Sequence, residues 1–504
     1  MRPAQRLILV VCLAFSVSLL GAAPKTPFSF SRSAPEAQGV SSADILTFVE
    51  EADQKLEALH SLMIVRHGKV VAEGWWSPYA ANEQHMLFSL SKSFTSTGIG
   101  LAIAEGKLAL EDPVLKFFPD ESPKDASANL KAMRIRDLLT MSTGHHDEDV
   151  KDFPFNSDDS VVKAFLARPV SHKPGTFFFY NTPASYVLSA IVQKVSGQPL
   201  VDYLGPRVFE PLGIESPKWD ASKQGVSLGG YGLNIRTEDI ARFGQLYLQK
   251  GEWQGKQLIP ASWVDMATAR QMSNGSSPTS DWEQGYGFQF WRSRHGFRGD
   301  GAHGQFCLIL PQYDAVIAIT SGTRDMASVM NLVWQRLIPA FKPSALPADA
   351  ATNAKLTARL KGLVLKTQTG TASLSPAVKA LAGKTYTFAS NGQSIDAIAL
   401  NSADANGPAT FTVRFAGSDQ QIVAAPGEWR KGTLTTRGVS EAIAASGAWT
   451  AADTYTLKVV RYRTPFMATY RMKFAEDQLA VEIEQNVGAD ARITQIVGRA
   501  GAAR

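Results

Sequence analysis

Cysteine is almost missing from this chain: 504 residues carry two, Cys12 and Cys307. The first lies in an N-terminal stretch that reads as a targeting segment. Arg2 and Arg6 open it, Leu7 to Leu20 form its apolar run, and Gly21-Ala22-Ala23 supply small residues for cleavage near Ala23. Bulky Val10 and Val11 before Cys12 argue against a lipoprotein box. Cleavage leaves Cys307 alone, which excludes an intrachain disulfide and a cysteine-based zinc site. Its neighbours Phe306, Leu308, Ile309 and Leu310 suggest a buried, inert thiol. Long apolar runs are also missing. Leu7–Leu20 is too short to span a bilayer comfortably and nothing later is long enough to try, so the expected product is periplasmic or secreted, with no transmembrane segment in the mature chain. Dense basic clusters are absent too. The net charge of +5 is dispersed, with no Lys/Arg block interleaved with aromatics, so nothing supports a nucleic-acid partner.

A chain of this length exceeds one ordinary core and predicts at least two domains. Leu62–Val65 and Val70–Ala72 flank His67-Gly68 as a hairpin, and Ala302–Leu310 with Ala315–Thr320 form a second around 311–314. Helices are expected at 160–169, 184–196 and 237–251, the last with Thr237 as N-cap. Residues 344–355 turn to Ala, Pro and Asp, a linker composition. Beyond Leu381, short alternating runs such as Phe411–Phe415, Tyr455–Val460 and Leu479–Ile483 read as an antiparallel β domain without a catalytic cluster. The predicted division is a signal peptide at 1–23, a hydrolytic domain at 30–343, a linker and helix at 344–380, and a β domain at 381–504.

The stretch with the most chemistry is Phe88-Ser89-Leu90-Ser91-Lys92, followed by a Gly-punctuated apolar helix ending near Gly106. Serine three residues ahead of lysine on a helix puts both on one face, a turn apart. The amine can then help remove a proton that an unassisted serine keeps at neutral pH. The pair is weak alone, since an N-capping serine and a solvated lysine give the same letters.

Further blocks follow in order: Gly106–Val114, Ile135–Gly144, Pro174–Thr182 with Tyr180-Asn181-Thr182, Gly229–Gly244, and Gly299–Gly304 entering a strand. Together with Ser89–Lys92 they resemble the serine β-lactamase-related family: class C β-lactamases, DD-peptidases, and esterase and 6-aminohexanoate-dimer hydrolase relatives. The resemblance implies an α+β fold, an antiparallel sheet flanked by helices with an all-α subdomain, here followed by the C-terminal antiparallel β domain. It implies a two-step acyl transfer without cofactor or metal. Ser89 would be the nucleophile and Lys92 its partner amine. Tyr180 would move the proton between Ser89, Lys92 and the leaving group, provided that a nearby cation such as Lys92 lowers its pKa. The backbone amides of Ser89 and Ala302, after Gly301, would hold the oxyanion.

Two departures bear on the substrate. The family's Tyr-x-Asn has its asparagine at the position held here by Thr182, with Asn181 displaced by one. The Lys-Thr-Gly before the oxyanion strand aligns with Gly299-Asp300-Gly301, so the lysine is gone, and Arg298 and His303 are candidate replacement donors. These forms are closer to the esterase and amide-hydrolase branch, and imply a small ester or amide substrate. A DD-peptidase or β-lactamase, with cell-wall peptide as substrate, is the alternative within the family. A non-catalytic penicillin-binding-like sensor or scaffold is the alternative from another functional class.

Other features carry bland readings. Gly225-Val226-Ser227-Leu228-Gly229 has the letters of a nucleophile elbow but lacks a strand before it and a helix after it. His145-His146-Asp147-Glu148-Asp149 is expected to be a solvated loop near the cleft rather than a metal site. Phe177-Phe178-Phe179, Trp75-Trp76 and the aromatic run Tyr286–Trp291 are expected to pack in the core.

Overall fold

The computed structural model describes residues 28–501 apart from 57, 147–149, 373–378, 380, 404–407, 437 and 489–492. The targeting segment at 1–23 and Asp147-Glu148-Asp149 lie outside the described residues. No helix among the described residues is long and apolar enough to cross a membrane.

The fold is α+β. Its first sheet runs, in spatial order, Ser31–Arg32, Lys69–Trp75, Leu59–Arg66, Ala315–Ser321, Gln305–Leu310, Phe297–Gly301 and Trp291–Arg292. Every pairing is antiparallel except the outermost, where Ser31–Arg32 runs parallel to Lys69–Val70. The three central strands, Leu59–Arg66, Ala315–Ser321 and Gln305–Leu310, are buried along their whole length. Both faces of the sheet are therefore covered, which is why these strands read as unbroken apolar runs. The period-2 alternation divides them between two cores. Met63, Val65, Cys307, Ile309 and Val316 face the helices Ser91–Ala104 and Thr237–Leu248. Leu62, Ile64, Leu308, Ile317 and Ile319 face Ser42–Lys55 and Met326–Leu332. His67 and Gly68 both take positive φ (49° and 68°), which two-residue hairpin turns require.

A helical layer closes over the first core with Ile135–Leu139, Val161–Leu166, Thr182–Ser196 and Leu200–Leu204. The helix at Thr237–Leu248 starts one residue earlier than its composition suggests. Arg236 is the N-cap, because the Asp239 carboxylate accepts the Arg236 amide at 3.0 Å. Thr237 instead donates to Ser61 Oγ at 2.8 Å inside the core.

After the helix Ala350–Lys361 the chain builds a ten-stranded antiparallel sheet from Thr385–Phe388 to Thr494–Ala500. Its edge strands, Ser418–Ala424 and Arg430–Thr436, approach each other, and Gln420 Oε1 accepts the Thr435 amide at 3.2 Å, so the sheet curls towards a barrel. Tyr386, Phe411, Tyr455, Leu457 and Phe474 fill its interior. Ala444, Val460 and Tyr462 leave that interior and join the second core of the first sheet. The two sheets thus share apolar packing.

Candidate active site

Ser89 sits in the 3-10 turn Phe88–Leu90, which runs straight into the helix Ser91–Ala104. Phe88 adopts φ 49°, an uncommon state for a large side chain, and such strain persists only when its surroundings enforce it. Here they do. Ser91 Oγ donates to Phe88 O at 2.6 Å and accepts the Leu233 amide at 3.2 Å, while Leu87, Leu90 and Phe94 are fully buried.

Lys92 is the residue this turn aims at Ser89. Its Nζ lies 3.1 Å from Ser89 Oγ, 3.1 Å from Thr182 Oγ1 and 2.7 Å from the Gly230 carbonyl, with 1% of the residue exposed. Burial pulls its pKa down to about 7, against the opposing field of Asp300. A neutral amine has two hydrogens and one lone pair. Donating to Gly230 and Thr182 leaves the lone pair for the Ser89 proton.

Tyr180 approaches from the loop before Thr182–Ser196, and Lys92 Nζ stands 4.9 Å from its ring centroid. Burial raises its phenol above the usual tyrosine value. Hydrogen bonds from Ser89 and Trp291, and the Arg298 charge, only partly offset that, and Asp300 adds to it. The expected lowering by a cation is therefore not what the site shows. Lys92 is too desolvated to be a reliable cation near neutral pH, and the phenol keeps its proton. Lys92 is the better base and Tyr180 the better acid.

Opposite the turn, Phe297–Gly301 delivers Ala302. A Cβ on Gly301 would fall 2.0 Å from Leu87 O, and one on Gly299 would fall 2.1 Å from Leu90 Cδ1 and 3.0 Å from Ser93 Oγ. Both glycines exist here because the strand and the Phe88–Leu90 turn are pressed together, bringing the segments of Ser89 and Ala302 side by side. A lysine at 299 would meet Leu90 before reaching the cleft.

The remaining candidates separate. Thr182 touches Lys92. Asn181 is buried as the N-cap of Thr182–Ser196, its side chain accepting the Ala184 amide at 3.0 Å, so it shapes the backbone rather than facing a ligand. Arg298 is not open at the surface, and its Nη2 is buried without a hydrogen-bond partner among the described residues. It is fully buried, bonded to Asp300 Oδ2 (2.8 Å), Ser293 Oγ (2.7 Å) and the Asp281 carbonyl (3.0 Å), and stacked near Trp282 and Trp291. His303 is half-buried against Phe88, with ring centroids 5.1 Å apart, and burial lowers its pKa.

The aromatic expectations divide likewise. Trp76, Tyr286, Phe288 and Phe290 are core residues. Phe177 is exposed and stacks on His172 at 4.3 Å, while Phe178 leans on Tyr286 and Trp291, because the Pro174–Tyr180 loop runs over the cleft rim. Ser227 lies buried in a loop with one isolated bridge to Ala221 and no strand leading in. The His145 ring packs on Phe165. Cys307 is fully buried and its thiol is pushed up by burial.

Sequence reasoning missed the Gly230 carbonyl that orients Lys92, although the run Gly229-Gly230 hinted at close backbone approach. A Cβ on Gly230 would lie 2.7 Å from Thr182 Cγ2. It also missed Asp300 and Trp291, which tune Tyr180; Trp291 stacks on the Tyr180 ring at 5.3 Å.

Residues 52–340, more than half the chain, match the sequence model of a family described as Beta-lactamase. The 6-aminohexanoate-dimer hydrolase of Paenarthrobacter ureafaciens is 25% identical over 303 residues, spanning 56% of this chain and 77% of that protein. Esterase EstB of Burkholderia gladioli is 26% identical over 178 residues, which are 30% of this chain and 44% of that protein. A solved chain from Bacillus anthracis, provisionally titled a 6-aminohexanoate-dimer hydrolase, superposes with a TM-score of 0.53 at 22% identity. It covers 64% of this chain and 90% of that one, a likeness of fold.

Proposed function

The chain belongs to the beta-lactamase family, and we propose that it is an exported serine hydrolase cleaving a small ester or amide through an acyl-enzyme. The observation that carries this reading is the buried Lys92 amine, 3.1 Å from Ser89 Oγ with a pKa of about 7. In acylation, Ser89 Oγ bonds to the carbonyl carbon and its proton passes to Lys92. The amides of Ser89 and Ala302 hold the oxyanion. As the intermediate collapses, the bond to the leaving group breaks and Tyr180 protonates the departing oxygen or nitrogen. Tyr180 recovers a proton from Lys92; water then bonds to the acyl carbon as Lys92 takes its proton, the bond to Ser89 Oγ breaks, and Lys92 returns the proton to Oγ as the acid leaves. Gly299 and the buried Arg298 favour this branch over a β-lactamase or DD-peptidase. Neither offers a free cation for the carboxylate those substrates carry.

The test is hydrolysis of p-nitrophenyl acetate and butyrate beside nitrocefin by the wild-type chain and Ser89→Ala. Ester turnover that disappears in Ser89→Ala, with nitrocefin untouched, is expected. Nitrocefin cleavage would move the protein to the β-lactamase branch. Acylation of Ser89 without turnover would make it a penicillin-binding-like sensor.

The pH dependence has a definite sign. Below about pH 7 Lys92 carries a proton and cannot take another, so kcat/KM should fall nearly tenfold per pH unit on the acid side and level off above. A stopped-flow profile of p-nitrophenyl acetate from pH 5 to 9 checks this. A flat profile through pH 6 would remove Lys92 as the base.

A further inference from the structure

The C-terminal sheet reaches the active-site segments through the turn Arg461–Phe466, between Thr454–Val460 and Met467–Phe474, with Asn486 beside it. On one side it holds the segment leading to Ser89. The Met86 amide donates to Arg463 O at 2.9 Å, Tyr79 Oη donates to Thr464 O at 2.8 Å, and Arg463 pairs with Glu83 at 2.8 Å. On the other side it holds the segment behind Ala302. Asn486 Nδ2 donates to both Gly322 O and Pro465 O at 2.9 Å. Next to Gly322, Ser321 Oγ donates to His303 O at 2.7 Å, and the Thr323 amide reaches the same oxygen at 3.2 Å.

Phe466 rides on this turn. Its ring centroid lies 6.1 Å from that of Phe88 and 6.1 Å from that of His303, and those two rings meet edge to face at 5.1 Å. Phe88 immediately precedes Ser89 and His303 immediately follows Ala302, and both take positive φ, 49° and 67°. The three rings are half-buried, as are Ser89 and Ala302. Tyr180, stacked on Trp291 and hydrogen-bonded to Ser89, forms a second wall. Since Tyr180 gives its proton to the leaving group, the leaving group lies on that wall and the acyl substituent is directed away from it.

We infer that the Arg461–Phe466 turn is part of the active site, and that Phe466 walls the acyl pocket and restricts it to short acyl chains. This rests on the acyl-enzyme reading above and gives the β domain a role in choosing the substrate.

The experiment uses the full chain with Phe466→Ala and Phe466→Trp against p-nitrophenyl acetate, butyrate and octanoate, with Ser89→Ala alongside. Phe466→Ala should raise the octanoate-to-acetate ratio of kcat/KM by about tenfold or more, since a single methylene is worth that much in a fitted apolar pocket. Phe466→Trp should lower the same ratio. Opposite shifts from the two variants are not what a general loosening of the fold produces, and thermal melts of both report on folding separately. An unchanged ratio, or a uniform loss at every chain length, with turnover still dependent on Ser89, overturns the role of Phe466 alone. Ester hydrolysis that survives Ser89→Ala, or a wild-type chain that hydrolyses none of the esters, overturns the acyl-enzyme reading and this inference with it.

Discussion

Ser89→Ala and Lys92→Met, made separately, should each lower kcat/KM for p-nitrophenyl acetate by about 10⁴-fold, and the double variant should lose little more than either single one. The two side chains work as one unit. With Oγ gone there is no nucleophile for the amine to activate. With the amine gone, the hydroxyl keeps its proton, because the neighbouring phenol is itself held protonated by burial. Removing the second member of a unit that has already failed has little left to cost. The variants should remain folded. Lys92 is buried and desolvated enough to be half-neutral near pH 7, so methionine relieves a burial penalty while forfeiting the bonds to Gly230 and Thr182. Burst and steady-state rates with circular dichroism decide it. Additive losses would mean that Lys92 acts independently of Ser89, and retention of most activity in Lys92→Met would pass the role of base to Tyr180.

Gly301→Ala should be damaging out of proportion to one methyl group. The added carbon would fall 2.0 Å from the Leu87 carbonyl oxygen and 3.0 Å from Gln305 Cβ. The first obstacle is backbone and cannot rotate away. Leu87 is fully buried, and its carbonyl already accepts the Leu90 amide. Strand and turn must separate, at a cost of about 3 kcal/mol by comparison with other overpacked sites. They carry the two proposed oxyanion donors, so a shift approaching 1 Å should also take roughly 100-fold from kcat. Urea denaturation and steady-state kinetics measure the two effects. Wild-type stability in Gly301→Ala would show that the turn can retreat freely and that its close approach is incidental.

What could be read from the chain in advance was mostly local. The spacing of Ser89 and Lys92 follows from one helical turn, the hairpin at His67-Gly68 from turn chemistry, and the β texture beyond Leu381 from alternation. What could not be read depended on partners distant in sequence. Nothing near Lys92 names the Gly230 carbonyl, 138 residues later, as its orienting acceptor. Nothing near Arg298 shows that Asp300, Ser293 and the Asp281 carbonyl engage its Nε and Nη1, or that its Nη2 is buried without a partner among the described residues. Tyr180 was expected beside a cation because lysine usually is one. Its surroundings instead withhold water from both groups, and desolvation moves amine and phenol in opposite directions. Phe177–Phe179 looked like core because apolar triplets usually are, yet a loop crossing the cleft rim leaves the first of them exposed. Thr237 lost the cap to Arg236 because the core held a hydroxyl, on Ser61, within its reach.

The bond from Tyr79 to the Thr464 carbonyl bridges 385 residues. As the chain is made, Ser89 emerges early, while the turn that steadies its approach is among the last segments to appear. Ser89, Lys92 and the groups that hold the amine, Thr182 and Gly230, all lie in the first half of the chain, but the side of the cleft carrying Phe88 and His303 waits for the far end of the polypeptide. Closing so long a loop is slow. Full hydrolytic competence is therefore a late event in the life of each molecule, reached only when its final third has docked.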